Sequence, residues 1–115
     1  MHNYKELKVW QKAIDLCVLV YDASKYFPTD ERFGLTSQVR RACVSVPSNI
    51  AEGAGRKSKK EFANFISIAT GSIFETETQI IIAQRLNYIK ETENIFKLIE
   101  EIQKMLYGFA IKLEE

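Results

Sequence analysis

Apolar residues recur at three- and four-residue steps in four successive stretches, and no stretch alternates as a half-buried strand would. The first stretch predicts a helix from about Tyr4 to Tyr26. Leu7, Trp10, Ile14, Cys17 and Tyr21 line one face, and Val9, Ala13, Leu16 and Val20 lie beside it. Together they span an arc wider than a two-helix seam needs. Phe27-Pro28-Thr29-Asp30 ends the helix, because the residue before a proline is disfavoured in the α region.

The second helix is expected from about Thr36 to Gly53, after a short lead-in turn at Asp30–Phe33. Thr36 is the expected cap, and Gly34 punctuates the approach. Leu35, Val39, Ala42, Cys43, Val46 and Ile50 share its apolar face. Pro47 falls inside the pattern, removes one backbone donor and crowds the carbonyl of Cys43, so a bend is expected. The third helix has the clearest start: Ser58-Lys59-Lys60-Glu61 has capping-box spacing. Phe62, Phe65, Ile66, Ala69, Ile73, Ile80, Ala83 and Leu86 carry it to about Asn87. Thr70-Gly71-Ser72 interrupts the pattern; a mid-helix glycine costs about 1 kcal/mol against alanine. A close approach by a neighbouring backbone is the expected compensation. The fourth helix spans about Thr92 to Leu113, with Ile95, Leu98, Ile99, Ile102, Met105, Leu106 and Phe109 in a near-heptad stripe.

Short connections favour antiparallel neighbours. The expected fold is therefore all-α, an antiparallel up-and-down four-helix bundle forming one domain over residues 1–115. That length buries roughly two-thirds of the unfolded surface, enough for one core without staples. The apolar surplus changes the picture. Val9, Leu16, Val18, Leu19, Phe74, Ile81, Ile82 and Ile111 lie partly outside the core stripes, and a monomer cannot hide them all on one face per helix. Large exposed apolar patches mark partners, and closed self-association is the usual solution.

Net charge is only +1, but it is unevenly laid out. Up to Lys60 there are 11 Lys/Arg against 6 Asp/Glu, and from Glu61 onward 5 against 9. A near-neutral chain with this layout can still present one strongly basic surface. The N-terminal residues lack the apolar run of a signal peptide, and the strongly apolar run Ile80 to Ala83 is far too short for a bilayer. A cytoplasmic location is expected.

Candidate chemistry is sparse. The only histidine is His2, which leaves no partner set for a His-based triad or zinc site. Cys17 and Cys43 both sit in apolar helical patterns and read as small core residues. A disulfide between them stays open, though nothing resembles a secreted framework. Gly53-Ala54-Gly55-Arg56-Lys57-Ser58 lacks the length and residue order of a P-loop. No enzyme, cofactor or metal is expected.

Two features remain. Arg56-Lys57-Ser58-Lys59-Lys60 places four positive charges in five residues at a helix N-terminus, an arrangement suited to phosphates. It reads equally well as a solvated turn. On the second helix Arg41, Ser45, Ser48 and Glu52 line up opposite the apolar face, with Arg40 on the flank and Asn49 and Arg56 near the other side. This stripe is either the wet side of a monomer or a subunit interface, for which Glu75 and Glu77 are further acidic partners.

Leu7-Lys8-Val9-Trp10-Gln11-Lys12-Ala13, Phe27-Pro28 and Gly34-Leu35-Thr36-Ser37-Gln38-Val39-Arg40-Arg41-Ala42 occur in a distinctive order. Ser45-Val46-Pro47-Ser48-Asn49-Ile50-Ala51-Glu52-Gly53 follows, then Arg56 and Ala69-Thr70-Gly71-Ser72. In these segments the chain resembles the bacterial four-helix bundle proteins encoded in intervening sequences of 23S rRNA genes. The accessory variability determinant proteins of diversity-generating retroelements are similar to the same group. The resemblance covers nearly the whole chain and weakens after about Ile89. It implies a bundle that assembles into a homopentameric barrel. In the retroelement branch it further implies a basic pentamer that binds nucleic acid and a reverse transcriptase, from whose strong basicity this near-neutral chain departs. By matching position, the family-motif residues are Arg40, Arg41, Asn49, Glu52, Arg56 and Gly71.

Two functions compete at this point. A homo-oligomeric accessory protein would meet RNA or DNA phosphates with Arg40, Arg41, Arg56, Lys57, Lys59 and Lys60. A protein–protein assembly module would use Arg41, Ser45, Asn49 and Glu52 between subunits and bind no nucleic acid.

Overall fold

Asn3 Oδ1 accepts the Lys5 amide at 3.2 Å and sets a tight 3-10 turn, Tyr4–Glu6, ahead of the first helix. The structure, a computed structural model, describes residues 3–115, so His2 lies outside the described residues. Helix α1 is Lys8–Ser24, α2 is Leu35–Ala54, α3 is Lys59–Arg85 and α4 is Glu93–Glu114. A second 3-10 turn, Thr29–Glu31, follows Pro28. There is no strand among the described residues. Each helix packs against its neighbours in chain order and α4 returns to α1, while among the described residues the diagonal pairs bring no Cα atoms within 8 Å. This is the expected up-and-down four-helix bundle. Its 44 Å long axis matches the length of α3, about 40 Å at 1.5 Å per residue.

The core reverses the expected order of the two α1 stripes. Val9, Ala13, Leu16 and Val20 face inward, whereas Ile14 and Tyr21 are exposed and Leu7, Trp10 and Cys17 are half-buried. The inward set joins the core cluster, and Cys17 and Tyr21 of the other set lie along the seam with α2. Val9 and Leu16 therefore leave the apolar surplus, while Val18, Phe74, Ile81, Ile82 and Ile111 stay exposed. On α2 the whole predicted face is buried. On α3 Leu86 is exposed, because the helix ends at Arg85 and Asn87 turns left-handed with φ of 61°. The Tyr88 amide then reaches back to the Ala83 carbonyl at 2.9 Å and the Asn87 amide to that of Gln84 at 3.0 Å, which is a Schellman ending.

The α2 N-terminus is capped differently from expectation. Thr36 lies inside the helix and Gly34 is its N-cap, while Glu31 Oε1 accepts the Leu35 amide at 3.1 Å. A Cβ at Gly34 would stand 2.6 Å from that oxygen, so glycine is what admits the carboxylate. Ser58 caps α3 as expected, its Oγ accepting the Glu61 amide at 3.1 Å and donating to Glu61 Oε1 at 3.2 Å.

The two mid-sequence glycines also exchange roles. Gly71 is exposed, and a Cβ there would meet nothing within 4 Å, so no neighbouring backbone compensates for it. The close approach is at Gly53, where a Cβ would come within 2.8 Å of Phe62 Cδ1 and of Phe65 Cβ. That contact seats the start of α3 on the end of α2. Phe62 in turn meets Phe109 of α4, with ring centroids 5.1 Å apart.

Candidate functional site

The turn between α2 and α3 carries the basic cluster on the surface. Lys57, Lys59 and Lys60 are exposed, and no ion pair engages them among the described residues. Arg56 is more constrained: its guanidinium lies 4.8 Å from the Phe65 ring centroid and 3.9 Å from Glu52 Oε2. Ser58 occupies the Glu61 amide, leaving the lysines free to face solvent.

Arg40 and Arg41 are adjacent in sequence and point to different places. Arg40 turns to α1, where its Nε donates to Ser24 Oγ at 2.8 Å and its Nη2 to the Tyr21 carbonyl at 3.4 Å. The guanidinium also stacks 4.6 Å from the Tyr21 ring centroid. Arg40 thus clamps α2 to α1. Arg41 is exposed and lines a groove of about 440 Å³ between α2 and α3, opposite Glu75 and beside Phe33, Ser37 and Gln38. Fifteen residues separate Arg41 from Arg56, about 22 Å along a helix. The six basic candidates therefore do not form a single patch on one chain.

The polar stripe of α2 divides as well. Asn49 Nδ2 donates to the Ser45 carbonyl at 2.8 Å and to Ser45 Oγ at 2.9 Å. Ser72 Oγ of α3 donates to Ser45 Oγ at 2.9 Å. Ser45 and Asn49 are thereby engaged in the α2–α3 seam, while Arg41, Ser48 and Glu52 remain outside it. One and two turns further along α3 are buried Thr76, bonded to the Ser72 carbonyl at 2.8 Å, and buried Gln79, whose Oε1 has no partner among the described residues. Sequence reading missed these three. Polar residues at 72, 76 and 79 follow the same helical spacing as the core, and that was the available signal.

The outer face of α3 leaves four large apolar side chains uncovered. Ile68, Phe74, Ile81 and Ile82 are 51%, 53%, 39% and 43% exposed, on either side of the open Gly71. Glu75 and Thr78 lie among them. Glu77, the other acidic residue of α3 considered for an interface, is half-buried and accepts from Gln103 of α4 at 3.1 Å. At the other end of the bundle, a groove of about 1050 Å³ opens between the end of α1 and the α3–α4 connection, lined by Leu19, Ala23, Tyr26, Ile89 and Ile95.

Two ionisable contacts tie the bundle together. Lys12 of α1 and Glu101 of α4 pair at 2.9 Å; the contact holds the lysine above its ordinary range and the carboxyl below its own. Tyr88 donates to Glu31 Oε2 at 2.9 Å, and this bond raises the phenol above its ordinary range. Neither contact was visible in the sequence, since both join residues far apart in the chain.

Among the described residues no three of His, Cys, Asp and Glu converge as a metal ion requires. No helix among them is long and apolar enough to cross a membrane. The molecule is thus an all-α bundle protein whose candidate chemistry lies on outer helix faces and one basic turn. The chain belongs to the family of the 23S rRNA-intervening sequence protein, whose model matches residues 5–108. No curated protein matches it.

Proposed function

We propose that the chain works as a non-enzymatic, cytoplasmic homo-oligomer, five-membered as the family resemblance implies, which gathers its basic turns into one surface for RNA or DNA phosphates. The outer face of α3 carries this reading: four large apolar side chains flank a glycine with open space above it. A soluble monomer gains nothing from such a stripe, whereas a second subunit packed there buries it and uses the missing side chain of Gly71. Each turn alone offers three unpaired lysines and a partly engaged arginine, which is weak. Several turns on one ring bind together, and their effective concentration replaces individual affinity.

The test is the mass of the full chain by size exclusion with light scattering. A multiple of 13.3 kDa is expected, falling to the single-chain value in an Ile68→Lys, Ile82→Lys double variant. A wild-type mass of 13.3 kDa would overturn the reading. One observation favours an assembly module without nucleic acid. Arg40 is committed to α1 and Arg56 to Glu52 and Phe65, which leaves Arg41 and Glu75 as interface charges.

A further inference from the structure

Pro47 lies within α2 and has no N–H, so the carbonyl of Cys43, four residues earlier, lacks its helical donor. The Cys17 thiol of α1 takes that place, with Sγ 3.2 Å from the Cys43 carbonyl oxygen. Cys43 Sγ in turn donates to the Arg40 carbonyl at 3.3 Å. The proline thus draws one cysteine of α1 against the residue that carries the other. Both thiols are free, Cys17 half-buried and Cys43 buried. The asymmetry has a chemical consequence, because an oxidant reaches Cys17 first.

We propose that Cys17 and Cys43 form a redox pair, Cys17 attacking and Cys43 resolving, which closes to a disulfide linking the middles of α1 and α2. The pair does not depend on assembly or on nucleic acid. The oxidant class is a low-mass disulfide. The Cys17 thiolate attacks one sulfur of that molecule, forming a mixed disulfide and releasing one thiolate. Cys43 then attacks the Cys17 sulfur and displaces the second thiolate, which takes up the Cys43 proton. Two protein thiols are oxidised and one small disulfide is reduced to two thiols.

The electrostatics suit these roles. The Cys43 S–H, able to turn onto the Cys17 sulfur, lowers the Cys17 thiol below its ordinary value of 9.0, which favours the nucleophilic thiolate. The same contact, followed by burial, pushes the Cys43 thiol upward, so it holds its proton until a mixed disulfide forms beside it. In the neutral pair each S–H rests on a backbone carbonyl. Ionisation of Cys17 needs only the Cys43 S–H to turn towards it.

The full chain, reduced and then titrated with oxidised glutathione, tests this. Intact mass after thiol alkylation is expected to show two thiols lost as two hydrogens, with no glutathione adduct. A peptide map should link the segments containing Cys17 and Cys43, and the thermal midpoint should rise by roughly 5–10 °C, reversed by dithiothreitol. Cys17→Ser keeps a donor for the Cys43 carbonyl and should leave Cys43 unreacted. Cys43→Ala should trap the glutathione adduct on Cys17; should it not fold, wild type and Cys17→Ser decide the matter alone. A stable glutathione adduct on wild type, disulfide-linked dimers, or two thiols remaining free would each overturn the pair.

Discussion

The carboxylate of Glu31 serves two distant parts of the chain at once: Oε1 accepts the Leu35 amide at 3.1 Å, and Oε2 accepts the Tyr88 hydroxyl at 2.9 Å. One oxygen starts α2 and the other fixes the connection between α3 and α4, fifty-seven residues away. The Tyr88 ring also lies 5.7 Å from that of Phe27, so the contact has an apolar side. The end of the bundle where α1 stops and α4 begins is therefore joined through a single side chain.

Replacing Tyr88 with phenylalanine should keep the ring contact and lose the bond, lowering the thermal midpoint. The pH dependence has a definite sign. Glu31 raises the folded-state phenol above its ordinary value of 10.0, so its stabilisation is complete below that pH. It is lost as pH rises through the higher folded value. Thermal midpoints measured from pH 8 upward should fall more steeply in wild type than in Tyr88→Phe. Parallel curves would contradict the contact.

The glycines of α2 and α3 should respond in opposite ways. At Gly53 an added methyl meets the buried Phe62 ring and the Phe65 Cβ, each at 2.8 Å, and neither has room to yield, so Gly53→Ala should destabilise by about 1–3 kcal/mol. At Gly71 it meets nothing within the chain. Gly71→Ala should therefore stabilise each bundle by up to about 1 kcal/mol through helix propensity. Chemical denaturation checks this, with Gly71→Ala placed in the single-chain Ile68→Lys, Ile82→Lys background so that no subunit packs on the new methyl.

The four helices were legible because apolar spacing, Pro28 and the Ser58 box are local signals. Which stripe of α1 faces inward was not, since Ile14 and Leu16 are equally apolar, and only the position of α2 and α4 chooses between them. Gly71 misled for a related reason: a glycine announces space, but not whether anything fills it. The basic turn was readable as charge. The division between Arg40 and Arg41 was not, because it depends on Ser24 and Tyr21 lying across the α1–α2 seam.

Arg40 should behave as a structural residue. Its removal leaves the buried Ser24 hydroxyl without one donor, the Tyr21 ring without its cation and the seam without its clamp. Arg40→Ala should cost about 1–3 kcal/mol in urea denaturation. Arg40→Lys should restore little, because an ammonium cannot stack on the ring and reach both oxygens as a planar guanidinium does. Arg41→Ala, at an exposed position, should leave the same curve within about 0.5 kcal/mol of wild type.

The lysines of the α2–α3 turn give the last contrast. Lys57 and Lys60 are exposed and join no ion pair among the described residues, so Lys57→Glu, Lys60→Glu should fold with little change in thermal midpoint. If the turn meets phosphates, association with a labelled RNA or DNA oligonucleotide weakens steeply with salt, because each neutralised phosphate releases counterions. Removing two contacts per subunit should then lower affinity for every sequence alike and flatten the plot of log affinity against log salt. On a ring the loss multiplies with the number of turns engaged at once, so binding should fall at least tenfold at low salt. Equal affinity and equal slope for variant and wild type would remove the turn from any nucleic-acid surface and leave assembly as the bundle's function.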